Sequence, residues 1–234
     1  MKNKATKIYF TIMLSGLLTG CSSTPKHTPH IVNDVNQRGM VIAAQTQNHL
    51  RPQLVNLALH AYNNAQLDGF GNKHILSIID YSLPSTMNRL WIINLDTNQV
   101  LFAEKVAHGI GSGTLYATQF SDQIDSRESS IGMYQTRLNG YRGRHGYSLR
   151  LIGLEPGYND QAFKRAIVLH SAPDISDAFI QTHGFLGLTW GCPAINPAHI
   201  RPVINTLSGG TLIFAYANDP AWLKNSRFLQ LKPV

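Results

Sequence analysis

Residues 166–196 read AIVLHSAPDISDAFIQTHGFLGLTWGCPAIN. Four apolar residues, Ala166, Ile167, Val168 and Leu169, form a buried-strand pattern that delivers His170 at its end. A Gly-rich return then leads to Cys192, set between Gly191 and Pro193 and beside Trp190. A histidine at a strand end and a cysteine on a glycine-preceded loop are the two parts that cysteine acyl transfer requires. The thiolate is the nucleophile, and an imidazole within hydrogen-bond reach generates it and later protonates the leaving amine. Gly191 lets the backbone turn tightly, so that the N–H groups of Gly191 and Cys192 can point at the oxyanion formed on attack.

Around this stretch the pattern is that of a β-rich α+β domain with small helices on its rim. Pro52 fits a first helical position, and Leu54, Ala58, Ala61, Tyr62 and Ala65 recur at helical spacing until Gly69 and Gly71. Strands are predicted over 75–81, 89–95, 100–107, 131–138, 148–152 and 211–217. Pro84-Ser85 makes a turn, and Asp96-Thr97-Asn98-Gln99 is a hairpin turn. Residues 108–113, HGIGSG, lack the Lys-Ser/Thr of a phosphate-binding loop and are read as a flexible rim of the site. Residues 139–147, NGYRGRHGY, form a basic, aromatic turn. With Arg150, the His145 and Tyr147 side chains there can hold an anionic, amide-rich ligand. Asp174 or Ser176 caps a short helix through Phe179 and Ile180 that Gly184 closes. Asn196-Pro197 opens another, with a kink at Pro202. Residues 219–234 are read as a C-terminal tail.

Residues 1–20 have the three parts of an export signal. Lys2, Lys4 and Lys7 are basic, 8–18 are mostly apolar but too short for a comfortable membrane span, and the segment ends Leu18-Thr19-Gly20-Cys21. That ending resembles a bacterial lipobox, which implies lipid on Cys21. Ser22 in place of Asp favours the outer over the inner membrane by the same resemblance. Residues 22–35 read as a polar tether and 41–50 as an earlier helical turn, so that 21–50 precede the folded domain. The chain has two cysteines; with Cys21 lipidated, Cys192 has no disulfide partner. The whole chain has a net charge of +7. Without the three leader lysines, 17 of the 20 basic side chains remain against 13 acidic ones, a net +4. No basic run with interleaved aromatics suggests nucleic acid, and the scattered histidines imply no metal or other cofactor.

His170 on its strand and the later Gly191-Cys192 resemble the L,D-transpeptidase catalytic (YkuD-type) domain. Ala107-His108-Gly109, residues 145–150 (HGYSLR), residues 154–157 (LEPG), Leu186-Gly187 and residues 190–194 (WGCPA) are similar to its murein L,D-transpeptidase branch. The resemblance covers roughly 75–217 and implies a single L,D-transpeptidase-like β-sandwich domain over 51–218. It also implies a periplasm-facing lipoprotein whose partners are peptidoglycan stem peptides and, through Cys21, the membrane. Cys192 would attack the carbonyl joining a diamino acid to the terminal D-Ala of a tetrapeptide stem, and an amine would take the acyl group. Water as acceptor would give L,D-carboxypeptidase action. A different thiol amidase or endopeptidase of the envelope, and a non-catalytic peptidoglycan-binding lipoprotein, are the other classes the residues allow. Trp190 replaces the family's second histidine, which leaves His170 and His183 as candidate bases; the strand-end position of His170 matches the family base. His183 and Trp190 are then pocket residues. Ala194 stands where the family has an arginine, a role open to Arg150, Arg142 or Arg144.

Overall fold

The computed structural model describes residues 29–47 and 49–231. The leader, Cys21 and the first part of the tether lie outside the described residues. No helix among the described residues is long and apolar enough to cross a membrane. In chain order the elements begin with helices α1 (Pro29–Ala44) and α2 (Pro52–Leu67). Strands β1 (Ile75–Asp80), β2 (Leu90–Asn94), β3 (Gln99–Glu104), β4 (Gly132–Thr136), β5 (Tyr141–Gly143), β6 (Gly146–Gly153) and β7 (Val168–Ser171) follow. Then come α3 (Asp177–His183), β8 (Ala194–Ile195), α4 (Ile200–Leu207), β9 (Leu212–Tyr216) and α5 (Pro220–Asn225). This is the β-rich α+β architecture that the sequence pattern predicts.

Hydrogen bonding links eight strands in the order β3-β2-β1-β9-β4-β6-β7-β8, with β5 paired to β6. The centre is the parallel pair β1 and β9, with Leu76 beside Leu212 and Ile78 beside Phe214. Both strands are near-continuous apolar runs, as strands covered on both faces must be. The two ends of the path meet. The chain that continues β3 hydrogen-bonds the chain around β8, through Ala107 N–H to Ala194 O (2.8 Å), Thr189 N–H to His108 O (3.0 Å) and Ile110 N–H to Thr189 O (2.8 Å). Closure satisfies edge groups that would otherwise be open to other chains.

Helix α2 turns inward Leu54, Ala58, Ala61, Tyr62 and Ala65, the positions its spacing predicts, together with Val55 and Leu59, and Pro52 occupies its first turn. Helix α1 replaces part of the expected tether. Its Ile42 is buried, and Arg38 donates to Leu95 O (2.8 Å) and Asn98 Oδ1 (2.9 Å). Gln45 both donates to Asn98 O (2.7 Å) and accepts from Val100 N–H (3.0 Å), so α1 is fastened across the β2–β3 turn. A Cβ on Gly39 would lie 2.0 Å from Asn56 Oδ1, which shows how closely α1 and α2 approach.

Three further expectations are corrected. Pro202 does not kink α4; it lies in the first turn, where its missing N–H has no partner to lose. The expected C-terminal tail contains α5, capped by Asp219, whose carboxylate accepts from Trp222 N–H (2.8 Å). Trp222 is wholly buried against Phe214 and donates from Nε1 to Glu155 Oε2 (3.0 Å). The segment 108–113 is no flexible rim: Ile110–Ser112 form a 3₁₀ turn, and His108 and Ser112 are fully buried.

Candidate active site

Strand β7 lies between β6 and β8. Its register pairs Arg150 with Val168 and Leu149 with Leu169 on one side, and His170 with Ala194 on the other. Because side chains alternate along a strand, Arg150, Val168, His170 and Ala194 share one face, while Leu149, Leu169 and Ile195 enter the core on the other. Carrying the β8 register back to Cys192 sets it level with Val168, on the face of His170 and one diagonal step from it. The sulfur agrees with that position: Val168 N–H donates to Sγ at 3.4 Å, and Ala166 O lies 4.0 Å away. Ala166 holds φ 58°, a left-handed conformation unfavourable for a residue with a Cβ.

His170 is only 3% exposed. Its Nδ1 lies 3.0 Å from Ser171 O, which can only accept, so Nδ1 carries the proton and Nε2 presents a lone pair. Nε2 is buried with no hydrogen-bond partner among the described residues. Burial lowers the His170 pKa; the Ser171 carbonyl partly opposes this, and the nearby His145 adds to it. Burial raises the Cys192 pKa, against smaller lowering contributions from Val168 N–H, Arg165 and Arg150. The shifts run in opposite senses, so the resting pair is a neutral thiol and a neutral imidazole rather than an ion pair. No hydrogen bond joins them in this structure.

Alkylation of Cys192 by iodoacetamide should therefore rise with pH through one ionisation above the ordinary cysteine value. His170→Ala should barely alter that profile. A plateau of reactivity on the acid side of neutrality, lost in His170→Ala, would mean a preformed ion pair and overturn the neutral resting state.

The Cys192 loop is closed by the Thr189 hydroxyl. Gly191 N–H donates to Thr189 Oγ1 (3.1 Å), and that hydroxyl donates to Cys192 O (2.7 Å). Of the expected oxyanion pair, the Gly191 N–H is thus occupied in this structure, whereas the Cys192 N–H has no partner among the described residues. Gly191 holds φ +111°, and a Cβ there would lie 2.6 Å from Glu128 O and 3.0 Å from Arg165 Nη2. Gly191→Ala should displace the loop and lower turnover by about a hundredfold or more, since misplacing a reacting atom by ~1 Å has that effect. Steady-state rates on the variant measure it, and a rate within a few fold of the parent would overturn it.

Behind the loop, Arg165 is buried and donates to Ser121 O (2.8 Å) and Glu128 O (2.5 Å). Ser129 Oγ accepts from Gly109 N–H (3.0 Å) and donates to Gly191 O (3.4 Å). His108 Nδ1 accepts from buried Arg89 (2.7 Å) and its Nε2 donates to Gly113 O (3.2 Å). Burial and the adjacent guanidinium lower its pKa to about 4, so it supports the site as a neutral strut. The sequence reading assigned no part to Arg165 or Ser129, because nothing local marks a side chain that reaches across to another loop.

The other predicted residues divide. His145, at the β5–β6 turn, stacks on His170 with ring centroids 4.4 Å apart. Arg150 lies over Phe163 (5.4 Å), and its Nη1 is buried without a partner among the described residues. Trp190 is 70% exposed under Arg127 (4.7 Å), at the outer rim of the loop. Tyr147 is turned the other way: its ring packs on Arg201 (5.2 Å) and its hydroxyl donates to Asn205 Oδ1 (3.0 Å), against α4. His183 stacks on Phe179 (3.9 Å) with Nδ1 3.0 Å from Phe179 O, exposed on α3 and without contact to Cys192. Helix geometry, through the i–4 carbonyl, holds it there. Among the described residues no group of three His, Cys, Asp or Glu side chains is placed to hold a metal ion.

No curated protein sequence matches the chain. An L,D-transpeptidase from Mycobacterium smegmatis is similar in structure at 14% identity and a TM-score of 0.39, over 62% of this chain and 59% of that one. The L,D-transpeptidase from Stackebrandtia nassauensis is similar at 10% identity and a TM-score of 0.39, over 80% of this chain and 92% of that one. The chain thus spans less than two thirds of the mycobacterial protein. Family membership rests on the sequence, not on these superpositions. The family model of the L,D-transpeptidase catalytic domain matches residues 46–216, most of the chain, and the protein belongs to that family.

Proposed function

We propose that this protein is a cysteine-dependent L,D-transpeptidase of the bacterial envelope, with Cys192 as nucleophile and His170 as base, acting on peptidoglycan tetrapeptide stems. The observation that carries the reading is that the β6-β7-β8 register and the Val168 N–H to Sγ bond put Cys192, His170 and Arg150 on one face, with His170 Nε2 buried and unpartnered among the described residues. The Cys192 S–H proton passes to His170 Nε2 as the sulfur attacks the carbonyl between diamino acid and D-Ala. The Cys192 N–H holds the oxyanion, and the imidazolium returns its proton to the departing D-Ala amine. An amine then attacks the thioester, loses its proton to His170 and releases the thiolate, which takes that proton back. No external energy source is required, since one amide replaces another. His183, exposed on α3, is not assigned as base.

Of the arginines open to the family's missing role, Arg150 is the one whose charge reaches the Cys192 sulfur. We assign it to the substrate carboxylate beside the scissile bond. Residues 1–21 further support export and lipid attachment at Cys21, with the domain facing the periplasm from the outer membrane. Incubating the protein with disaccharide-tetrapeptide and weighing the products tests the reaction. A cross-linked dimer supports the transpeptidase, and D-Ala release alone supports the carboxypeptidase. Absence of both, with no acyl adduct on Cys192, overturns the enzymatic reading.

A further inference from the structure

The β5–β6 hairpin and α4 carry positive charge with nothing to neutralise it. Between Glu128 and Glu155 the sequence has no acidic residue, and none occurs between Asp177 and Asp219. Arg137, Arg142, Arg144 and Arg201 are all exposed, and none has an acidic partner among the described residues. Two other surface arginines are paired, Arg51 with Asp80 and Arg227 with Asp68, and Arg127 lies over Trp190.

The patch is held in place rather than hung on a loose loop. Arg201 lies over the Tyr147 ring, whose hydroxyl bonds Asn205, and a Cβ on Gly140 would press within 2.6 Å of Ile204. Arg142 pairs with Tyr147 across the hairpin, Arg144 lies in the turn, and the next residue, His145, stacks on His170. Arg142 and Arg201 thus lie on the Tyr147 side of the hairpin, Arg144 sits at its tip next to His145 over the base, and Arg150 lies on the opposite face with the sulfur.

We infer that this arginine belt, Arg142, Arg144 and Arg201, is the surface on which a carboxylate-bearing stem peptide is captured and led to Cys192. The inference rests on the transpeptidase reading for the identity of the peptide. The reacting end of the peptide meets Arg150, and its remaining carboxylates face exposed guanidinium groups across the hairpin. Such contacts are exposed, so each contributes modestly and is screened by salt; several acting together steer and retain an anionic chain.

The test is equilibrium binding to full-length protein carrying Cys192→Ala, which needs no turnover and so fails or succeeds independently of the chemistry proposed above. The probes are disaccharide-tetrapeptide and the same compound with its carboxylates converted to amides. Adding Arg142→Gln with Arg144→Gln should weaken binding of the carboxylated probe about tenfold at low salt, with a shallower salt dependence, while the amidated probe binds both proteins alike. An unchanged thermal midpoint establishes that the variant is folded. Equal affinities for the carboxylated probe, or equal losses for both probes, overturn the inference. So does a loss confined to vesicles of phosphatidylglycerol, which would make the belt a lipid-headgroup surface.

Discussion

Cys192→Ala is expected to remove turnover altogether, by at least about ten-thousandfold, because no other group on the β7–β8 face is a nucleophile. Stability should shift by no more than about 1 kcal/mol, since the thiol is half-buried and its two backbone contacts, from Val168 N–H and to Ala166 O, are long and weak. The two readouts are product mass from disaccharide-tetrapeptide and urea unfolding. Residual activity near that of the parent would remove Cys192 from the mechanism. A collapse in stability would mean that the sulfur serves the core. Cys192→Ser should resemble the alanine variant in rate, because His170 has its pKa lowered and is a poor base for an alcohol.

The largest stability effect is expected far from the sulfur. Trp222→Ala should destabilise the protein by about 3–5 kcal/mol, the usual range for emptying a buried aromatic site. It also removes one donor from Glu155, a buried carboxyl whose Oε1 accepts from Met133 N–H (2.7 Å) and whose Oε2 accepts from the indole. Burial raises the Glu155 pKa against the opposing donors of Ser226, Met133 and Trp222, so losing the indole leaves the buried charge less well compensated. Trp222→Phe fills most of the space and should lose about 1–3 kcal/mol, chiefly through the unmet oxygen. Urea denaturation distinguishes the two. Equal losses in both variants would place the effect in packing alone.

Much of the frame was legible because local signals agreed with the fold. Pro52 and the spacing from Leu54 to Ala65 define α2, Ser176 and Gly184 bound α3, and the apolar runs at 75–81 and 211–217 become the central strands. Asp219-Pro220 is also a helix-start signal, an N-cap followed by proline, but it lies in a stretch that composition alone marks as a tail. Strand β8 has two residues, too few for any periodicity to reveal. Helix α1 leaves Met40 and Val41 exposed and is held by Arg38 and Gln45, whose partners are far away in sequence.

In the site, residue types were readable and directions were not. Cys192 and His170 are named by chemistry and spacing. That Tyr147 faces α4 while Arg150 faces the sulfur depends on strand register, where a shift of one residue exchanges the two faces. The neutral resting state of the thiol likewise depends on burial. The sequence marks Gly191, yet its reason is a carbonyl from the 121–130 loop that only the folded chain brings near.

The middle of the sheet is made by the first and last strands, β1 and β9, side by side. Until residue 216 has left the ribosome, β1 lacks one neighbour and β4 has nothing to pair with on that side. The catalytic loop is thus synthesised before the scaffold that aligns it can exist. Alignment of the Cys192 loop on the β4–β6 side of the sheet therefore waits for β9, although every residue of that loop precedes β9 in the chain.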